Sequence, residues 1–377
     1  MHQRLKVSTS EVRNDSAIHF KKITPTLIPP QGGTSDNSPI EGGRGGVVVK
    51  TLLLFLFCSL ILLSCSKSDS SKNEMTIAVI PKGTTHVFWQ SVHAGAVKAS
   101  RELSVPIIWI GPEKEDDRQQ QIALIDNQVI NAVSGIVVAP LDATALRRPI
   151  EAASRQNVPV VIFDSALDNS EDITVSFVAT DNLEGGRIAG RNLAAMLNGK
   201  GKVILLRYAE GSASTEARED GFLEVIKNFP EIEVASDEQY AGATTASAQQ
   251  ASENLILRFK DAQGKLTVAG IFTPNESSTY GMLQALRRNQ LAEQVKFIGF
   301  DASEPLLEGL QQREIHGLVV QNPFKMGYLG VKTLVQHLRN EAVEKRIDTG
   351  VAFVTLENIN SPEMQEVIKP DLKQWLQ

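Results

Sequence analysis

Charged and polar side chains repeatedly follow short apolar runs in this sequence of 377 residues. The run IAVI at 77–80 is followed by PKGTTHVFW, and VVIF at 160–163 is followed by Asp164. Further along, GIFT at 270–273 precedes Asn275, and FIGF at 297–300 precedes Asp301. Carboxylates and amides can each form two hydrogen bonds to neighbouring hydroxyl groups, and aromatic faces cover apolar ones. The pattern therefore predicts a binding site for a small, hydroxyl-rich ligand.

The apolar runs are typical of strands buried in a parallel sheet, and amphipathic stretches separate them. The predicted strands are residues 77–80, 107–110, 136–139, 160–163, 203–206, 268–272, 296–300 and 318–320, with helices such as 120–130, 183–197, 222–229, 280–291 and 326–338 between them. This alternation predicts an α/β fold. Ligands of open α/β sheets bind at the carboxyl ends of the strands. Polar clusters follow seven of the apolar runs, so we expect all seven along the same edge of the sheet.

An apolar run near the N-terminus predicts export. Residues 51–63, TLLLFLFCSLILL, are too few for a comfortable membrane span and are typical of a secretory signal. The run ends in LLSC at 62–65, which resembles a bacterial lipobox in which Cys65 would be lipidated. An uncleaved anchor is the alternative, and both place the body outside the cytoplasm. Residues 66–74 form a polar tether. Residues 1–50 are unassigned, and we expect the true start near residues 47–49.

Composition narrows the function classes. A net charge of −6 argues against nucleic acid as a partner. The two cysteines, Cys58 and Cys65, both lie in or beside the apolar run, so the body has neither a disulfide nor a thiolate zinc site. The sequence has no G-x-S-x-G elbow, no H-E-x-x-H pair and no P-loop. We therefore expect a binding protein rather than an enzyme, with no metal and no cofactor.

Four longer patches, in order, carry a family resemblance: SFVATDNLEGGRIAG (176–190), STEAREDGF (214–222), FTPNESS (272–278) and FIGFDA (297–302). With them the chain resembles bacterial periplasmic sugar-binding proteins of the ribose-binding type over residues 75–358. The resemblance implies the periplasmic binding protein-like I fold, with two similar doubly wound parallel-sheet lobes and a three-crossing hinge. The lobes would be residues 75–181 plus 322–352, and residues 182–321 plus 353–377.

The resemblance also implies a function. The chain would be a monomeric, membrane-anchored lipoprotein of the periplasm or cell envelope that binds a monosaccharide or polyol. It would deliver this ligand to an ABC permease in the inner membrane. One alternative is a receptor that presents an autoinducer-2-like furanose or another ligand to a signalling partner. A lac-repressor-like regulator is the third, and it is disfavoured because a lipobox stands where a helix-turn-helix would be needed.

Carried over position by position, the resemblance implies a set of site residues. The ligand contacts would be Lys82, His86, Phe88, Trp89 and Asp164 in the first lobe, Glu216, Asn275 and Asp301 in the second, and Gln321 near the hinge. Asp181 and Asn182 would form the first hinge crossing.

Two positions depart from the ribose type. Asp164-Ser165 stands where that type has Asp-Arg, and Glu216 stands in place of a second-lobe arginine, which argues against ribose itself. The IPK and FDS patches, at 80–82 and 163–165, look more like the binding proteins for autoinducer-2. We expect Arg218 to be a structural ion-pair residue, and the charged run at 113–118 to be solvated surface.

Overall fold

Two six-stranded sheets, each covered by helices, make up residues 75–377, the part of the chain that the computed structural model describes. The predicted signal segment, Cys65 and the tether lie outside the described residues. Elements are numbered below in chain order. Among the helices of residues 75–377, none is long and apolar enough to cross a membrane.

The first sheet is entirely parallel, with the strand order β11-β5-β4-β3-β1-β2. Its strands are β1 (Ile77–Ile80), β2 (Ile107–Trp109), β3 (Gly135–Val138), β4 (Val160–Phe163), β5 (Ser176–Ala179) and β11 (Arg346–Asp348). Every residue of β1, β3 and β4 is buried, because helices cover both faces of the sheet.

The second sheet has the order β12-β10-β9-β8-β6-β7, and only its edge strand β12 is antiparallel. Its strands are β6 (Lys200–Leu205), β7 (Glu231–Ser236), β8 (Gly270–Phe272), β9 (Lys296–Phe300), β10 (Gly317–Gln321) and β12 (Val351–Val354). Apart from the edge strands, the two sheets have the same order. This repetition confirms the predicted fold of two similar α/β lobes.

Helices form two layers around each sheet. The first lobe has α1 (Val87–Leu103), α2 (Arg118–Ile130), α3 (Arg147–Arg155) and α9 (Pro323–Leu338). The second has α4 (Asn182–Met196), α5 (Ala213–Ile226), α6 (Thr245–Leu257), α7 (Glu276–Arg288), α8 (Glu304–Gln311) and α10 (Pro362–Ile368). Four apolar clusters, one on each face of each sheet, form the core.

Three connections join the lobes, as predicted. They lie between β5 and α4, between β10 and α9, and between β11 and β12. The first and third touch each other, because Thr349 N donates to Ala179 O at 3.0 Å and the Thr180 and Thr349 hydroxyls are 3.3 Å apart. Since β12 pairs with β10, the chain changes sheets at 349–350, slightly before the expected boundary at residue 352.

The C-terminus departs from the expected lobe boundaries. Helix α10 packs in the core of the second lobe, but the following helix α11 (Lys373–Leu376) packs against α1 of the first. Arg101 fixes it by donating to the carbonyls of Gln374 and Trp375 at 3.1 and 3.0 Å. Residues 353–377 therefore do not all belong to the second lobe, and residues 369–372 form a strap between the lobes.

Glycines allow one helix of each lobe to approach its neighbour closely. In the second lobe, a Cβ on Gly186 of α4 would overlap the backbone carbonyl of Arg218 in α5. In the first lobe, a Cβ on Gly95 of α1 would overlap the carbonyl of Phe324 in α9. In both pairs, one helix has crossed over from a strand of the other lobe, so this packing secures the hinge connections.

We expect Gly186→Ala to lower the free energy of unfolding by about 1–3 kcal/mol, because α4 and α5 must separate to admit the methyl group. Gly185→Ala is the matched control. Its Cβ would meet the edge of the Phe300 ring at 3.1 Å, and both variants share the same gain in helix propensity. Chemical denaturation measures both. Equal stability of the two variants would contradict the close approach.

Candidate functional site

A cleft of about 30 Å³ lies where the carboxyl edges of the two sheets face each other. The polar clusters that the sequence places at one edge are thus divided between two opposed edges. Eight of the nine predicted contact residues line this cleft: Lys82, His86, Phe88, Trp89, Asp164, Asn275, Asp301 and Gln321. The ninth, Glu216, does not.

Two aspartates occupy equivalent places in the lobes. Asp164 follows β4 and Asp301 follows β9, and both have a left-handed backbone, with φ of 61° and 70°. Each backbone N–H donates to the neighbouring strand, to Val178 O at 3.1 Å and to Val319 O at 2.8 Å. Asparagine and aspartate tolerate this conformation better than most residues. The strand ends thus direct two carboxylates into the cleft.

Lys82 connects the lobes from the end of β1. Its ammonium group lies 3.4 Å from Asp164 Oδ2 and donates to the hydroxyls of Ser212 and Ser214 at 3.1 and 3.0 Å. Only 3% of the lysine is exposed. Asp164 rather than Asp301 is therefore its carboxylate partner. A second contact between the lobes lies beside it, where Ser214 N donates to Ser165 Oγ at 3.1 Å.

Glu115 is the centre of a buried network at the other end of the cleft. Its carboxylate accepts from Trp89 Nε1 at 2.6 Å and from the Tyr208 hydroxyl of the second lobe at 2.8 Å. His86 Nδ1 lies 2.6 Å from the same carboxylate. The run at 113–118 was expected to be solvated, and this is wrong for Glu115, of which 8% is exposed.

Burial and charge act in opposite directions on this ion pair. Burial alone lowers the pKa of His86, but the charge and hydrogen bond of Glu115, with Glu276 and Asp301 nearby, raise it to about 9. Burial raises the pKa of Glu115, whereas His86, the Trp89 hydrogen bond and Lys82 lower it to about 2. At neutral pH the pair is therefore an imidazolium and a carboxylate.

Asp301 organises the second-lobe wall. Its Oδ2 accepts from the backbone N–H of Glu276 at 2.9 Å, and its Oδ1 accepts from Gln321 Nε2 at 2.8 Å. Glu276 in turn accepts from the backbone N–H of Phe88 at 3.1 Å, across the lobes. Burial raises the pKa of both Asp301 and Glu276. Among the described residues, none donates to Gln321 Oε1, although the side chain is buried.

Arg218 lies in the cleft wall, where sequence reasoning did not place it as a contact. Its Nε donates to Asn182 Oδ1 at 2.8 Å and its Nη1 to Pro274 O at 2.9 Å, and its guanidinium lies 4.0 Å from the centre of the Phe300 ring. Asn182 also donates to Asp164 O at 3.3 Å. The predicted hinge residue Asn182 thus ties the first crossing to both lobes.

Three other predicted residues act as local caps. Glu216 accepts from Gly211 N at 2.7 Å, which turns its carboxylate towards the loop before α5 and away from the cleft. Asp181, the other hinge residue, is exposed and caps α4 by accepting from Glu184 N at 3.0 Å. Asn275 caps α7 through Ser278 N at 3.2 Å while it also lines the cleft.

The aromatic pair differs in burial. Trp89 is 3% exposed and packs edge-on against Phe88 and Phe163, with ring centres 4.8 and 6.1 Å away. Phe88 is half-buried and lines the cleft together with Trp89. Adjacent helical positions point about 100° apart, so one ring packs in the core while the other is free to cover a ligand face.

Glu115, Tyr208, Arg218 and Glu276 are the charged or phenolic lining residues that sequence reasoning missed as contacts. The signal for Glu115 was present, because residues 111–118 directly follow β2 just as the other clusters follow their strands. Glu276 directly follows Asn275, in one of the polar clusters that the strand-end pattern identified. The same signal was present for Tyr208, which lies three residues after β6. Arg218 carries no such local signal, because the packing of α5 against α4 brings it to the cleft.

The cleft therefore combines acceptors, donors and aromatic faces at short range. Four carboxylates, from Glu115, Asp164, Glu276 and Asp301, face the cations of Lys82, His86 and Arg218. Within residues 75–377, no group of histidine, cysteine and carboxylate side chains could hold a metal ion. Such a lining suits a neutral molecule with several hydroxyl groups, because each hydroxyl can donate to a carboxylate and accept from a cation.

Comparison with known proteins agrees with this geometry. Residues 77–342 match the family model of the periplasmic binding protein domain. The chain belongs to the periplasmic binding protein family. Among curated relatives, this binding protein is 26% identical over 312 residues to the ribose import binding protein of Bacillus subtilis, covering 82% of this chain and 97% of that one. The corresponding protein of Haemophilus influenzae is 25% identical and covers 79% and 97%.

Solved structures of similar periplasmic binding proteins contain sugars. A carbohydrate transporter solute-binding protein from Agrobacterium radiobacter, in complex with D-arabinose, is 35% identical with a TM-score of 0.74, covering 79% of this chain and 100% of that one. An ABC transporter solute-binding protein from Agrobacterium vitis with bound D-fucose is 33% identical with a TM-score of 0.74, covering 78% and 99%. The predictions of the ribose-type family and of a binding protein rather than an enzyme are confirmed.

The His86–Glu115 pair predicts a specific pH dependence of stability. The folded-state pKa of His86, about 9, exceeds the ordinary value of 6.5. The contribution of His86 to the free energy of unfolding is therefore complete below pH 6.5 and is lost as the pH rises through about 9. We expect thermal unfolding to show a loss on the order of 3 kcal/mol across this window. His86→Gln should remove this loss of stability between pH 6.5 and 9, whereas His337→Gln, at an exposed position, should retain it. An unchanged dependence of stability on pH in His86→Gln would contradict the ion pair.

Proposed function

We propose that this periplasmic binding protein captures a monosaccharide or related polyol between its lobes and delivers it to an ABC importer. The observation that carries the proposal is the pair of buried strand-end aspartates, Asp164 and Asp301, which approach one cleft from opposite lobes. Buried acceptors at two opposed edges favour a ligand with hydroxyl groups on both sides of a small ring.

Gln321 supports a ligand that donates hydrogen bonds. Its Nε2 is held by Asp301, which fixes the orientation of the amide and leaves the buried Oε1 without a donor among residues 75–377. A buried acceptor without a partner costs on the order of 1–3 kcal/mol. A ligand hydroxyl at this position would remove that penalty.

The size of the cleft supports a hinge motion. A volume of about 30 Å³ holds one or two water molecules and is too small for a sugar ring. The lobes must therefore separate to admit the ligand, and the three crossings are the places where backbone rotation can occur. Ligand binding would replace contacts such as Lys82 to Ser214 with bonds to the bound polyol.

The predicted lipobox supports a membrane-anchored form. With Cys65 as the lipidated first residue, residues 66–74 would connect the anchor to β1 and leave the two lobes free in the periplasm. The relatives named as import binding proteins support a transport role. The monomeric state is part of the same proposal.

A thermal-shift screen of the full chain in detergent, against pentoses, hexoses and inositols, should reveal at least one ligand that raises the melting temperature. Asp301→Asn keeps the size and the left-handed tolerance of the residue but removes the charged acceptor. We expect calorimetry to show at least a tenfold loss of affinity for that ligand. The control is Asp172→Asn, an exposed residue ahead of β5. Equal affinity of all three proteins would contradict the assignment of Asp301.

Lipidation is tested by the variant Cys65→Ser. We expect the wild-type chain to incorporate labelled palmitate in a bacterial host and to sediment with membranes. The variant should lose the label, while Cys58→Ser, in the predicted signal segment, should retain it. Labelling of the Cys65→Ser protein would overturn the lipobox.

A further inference from the structure

A second and larger cavity adjoins the polar cleft. It has a volume of about 280 Å³ and shares four wall residues with the cleft: Phe88, Glu276, Asp301 and Gln321. The two spaces thus lie next to each other, on either side of these shared residues.

Apolar side chains supply most of the remaining wall of this second cavity. The main contributors are Val87, Ala302, Val320, Val367 and Ile368. The charged residues at its rim satisfy each other, because Lys369 Nζ lies 3.7 Å from Glu304 Oε2 and both side chains are exposed. Apart from the hydroxyls of Ser91 and Ser303, the interior therefore offers mainly burial of hydrocarbon.

The strap at 369–372 covers this cavity. Pro370 and Leu372 line it, and the strap runs from α10 of the second lobe to α11 on the first. The family match ends at residue 342, so this cover lies outside the matched region. Because the strap is held at both lobes, it covers one side of the cavity in the same arrangement that brings the lobes together.

Gln321 marks the join between the two spaces. It is 4% exposed, lines both cavities, and has its Oε1 without a donor among the described residues. A hydroxyl group placed here can donate to Gln321 while the rest of the molecule extends either way. The polar end then meets Lys82 and Arg218, and the other end meets valine and isoleucine side chains.

We propose that the preferred ligand is a sugar with an apolar substituent, that is, an alkyl or aryl glycoside. After the lobes separate, the sugar ring takes the place of contacts such as Lys82 to Ser214 in the polar cleft, and the substituent lies in the cavity beneath the strap. The anomeric oxygen is the position at which sugars commonly carry a second group, which makes a glycoside the natural form of such a ligand. This inference rests on the proposed function, since it assumes a sugar in the cleft.

The test compares a sugar that binds in the screen with its two anomeric propyl glycosides, using calorimetry on the full chain. Each buried methylene raises affinity roughly fourfold, so we expect one anomer to bind at least tenfold more tightly than the free sugar. Ser91→Leu and Ala302→Leu reduce the cavity from the first and second lobe respectively. Each should lower the ratio of glycoside to sugar affinity at least fivefold, whereas Ala342→Leu, at an exposed site, should preserve it.

The outcomes separate the two ideas. If neither free sugars nor glycosides bind, the proposed function and this inference are both wrong. If free sugars bind but both glycosides bind no more tightly, the inference alone is overturned. The same holds if a glycoside gains affinity and neither cavity-filling variant reduces that gain, because the substituent would then lie elsewhere. Two variants on opposite lobes keep the test decisive if one of them fails to fold.

Discussion

The closed cleft depends on buried carboxylates that take hydrogen bonds from the opposite lobe. Glu115 of the first lobe accepts from Tyr208 of the second, and Glu276 of the second lobe accepts from the backbone of Phe88 in the first. In the proposed hinge motion, water would replace these donors as the lobes separate, so opening would leave no carboxylate unpaired. Closing without a ligand would exchange one set of hydrogen bonds for another and gain little free energy. A ligand that supplies additional donors would shift the balance towards the closed form by its differential affinity.

The duplicated architecture explains why the site lies at the hinge. Asp164 and Asp301 follow corresponding strands, and each donates its N–H to the strand beside it, β5 or β10. The chain leaves each lobe directly after one of these neighbouring strands, through the crossings at Asn182 and Gln321. Each aspartate therefore touches a hinge residue, through Asn182 Nδ2 in one case and Gln321 Nε2 in the other. In the proposed hinge motion, a ligand that engages either carboxylate would be coupled to the segment that rotates.

Elements with a purely local signal were predictable from the sequence. Runs such as IAVI and VVIF are buried on both faces, and their strand bounds match the prediction at β1 and β4. Strand β7 was missed because it is an edge strand with alternating glutamates, and helix α6 because serines and glutamines weaken its amphipathic pattern. The expectation that polar residues just after strands line the site located Lys82, Asp164, Asp301 and Gln321. The same expectation applied to the segment after β2, but the charges around Glu115 favoured the prediction of a solvated loop.

Arg218 shows what local reasoning misses and why this matters for specificity. It lies one helical turn inside α5, so its position depends on the contact between Gly186 and the Arg218 backbone rather than on a strand end. Among the described residues that line the cleft, it is the only arginine. At the first-lobe position where the ribose type has an arginine, Ser165 is small enough to accept directly from Ser214 N at the start of α5. That contact links α5 to the first lobe, and Arg218 of the second lobe is the arginine that remains in the described lining. The cleft therefore offers a forked donor from the second lobe and none from the first, so a ligand that needs one from each side fits it poorly.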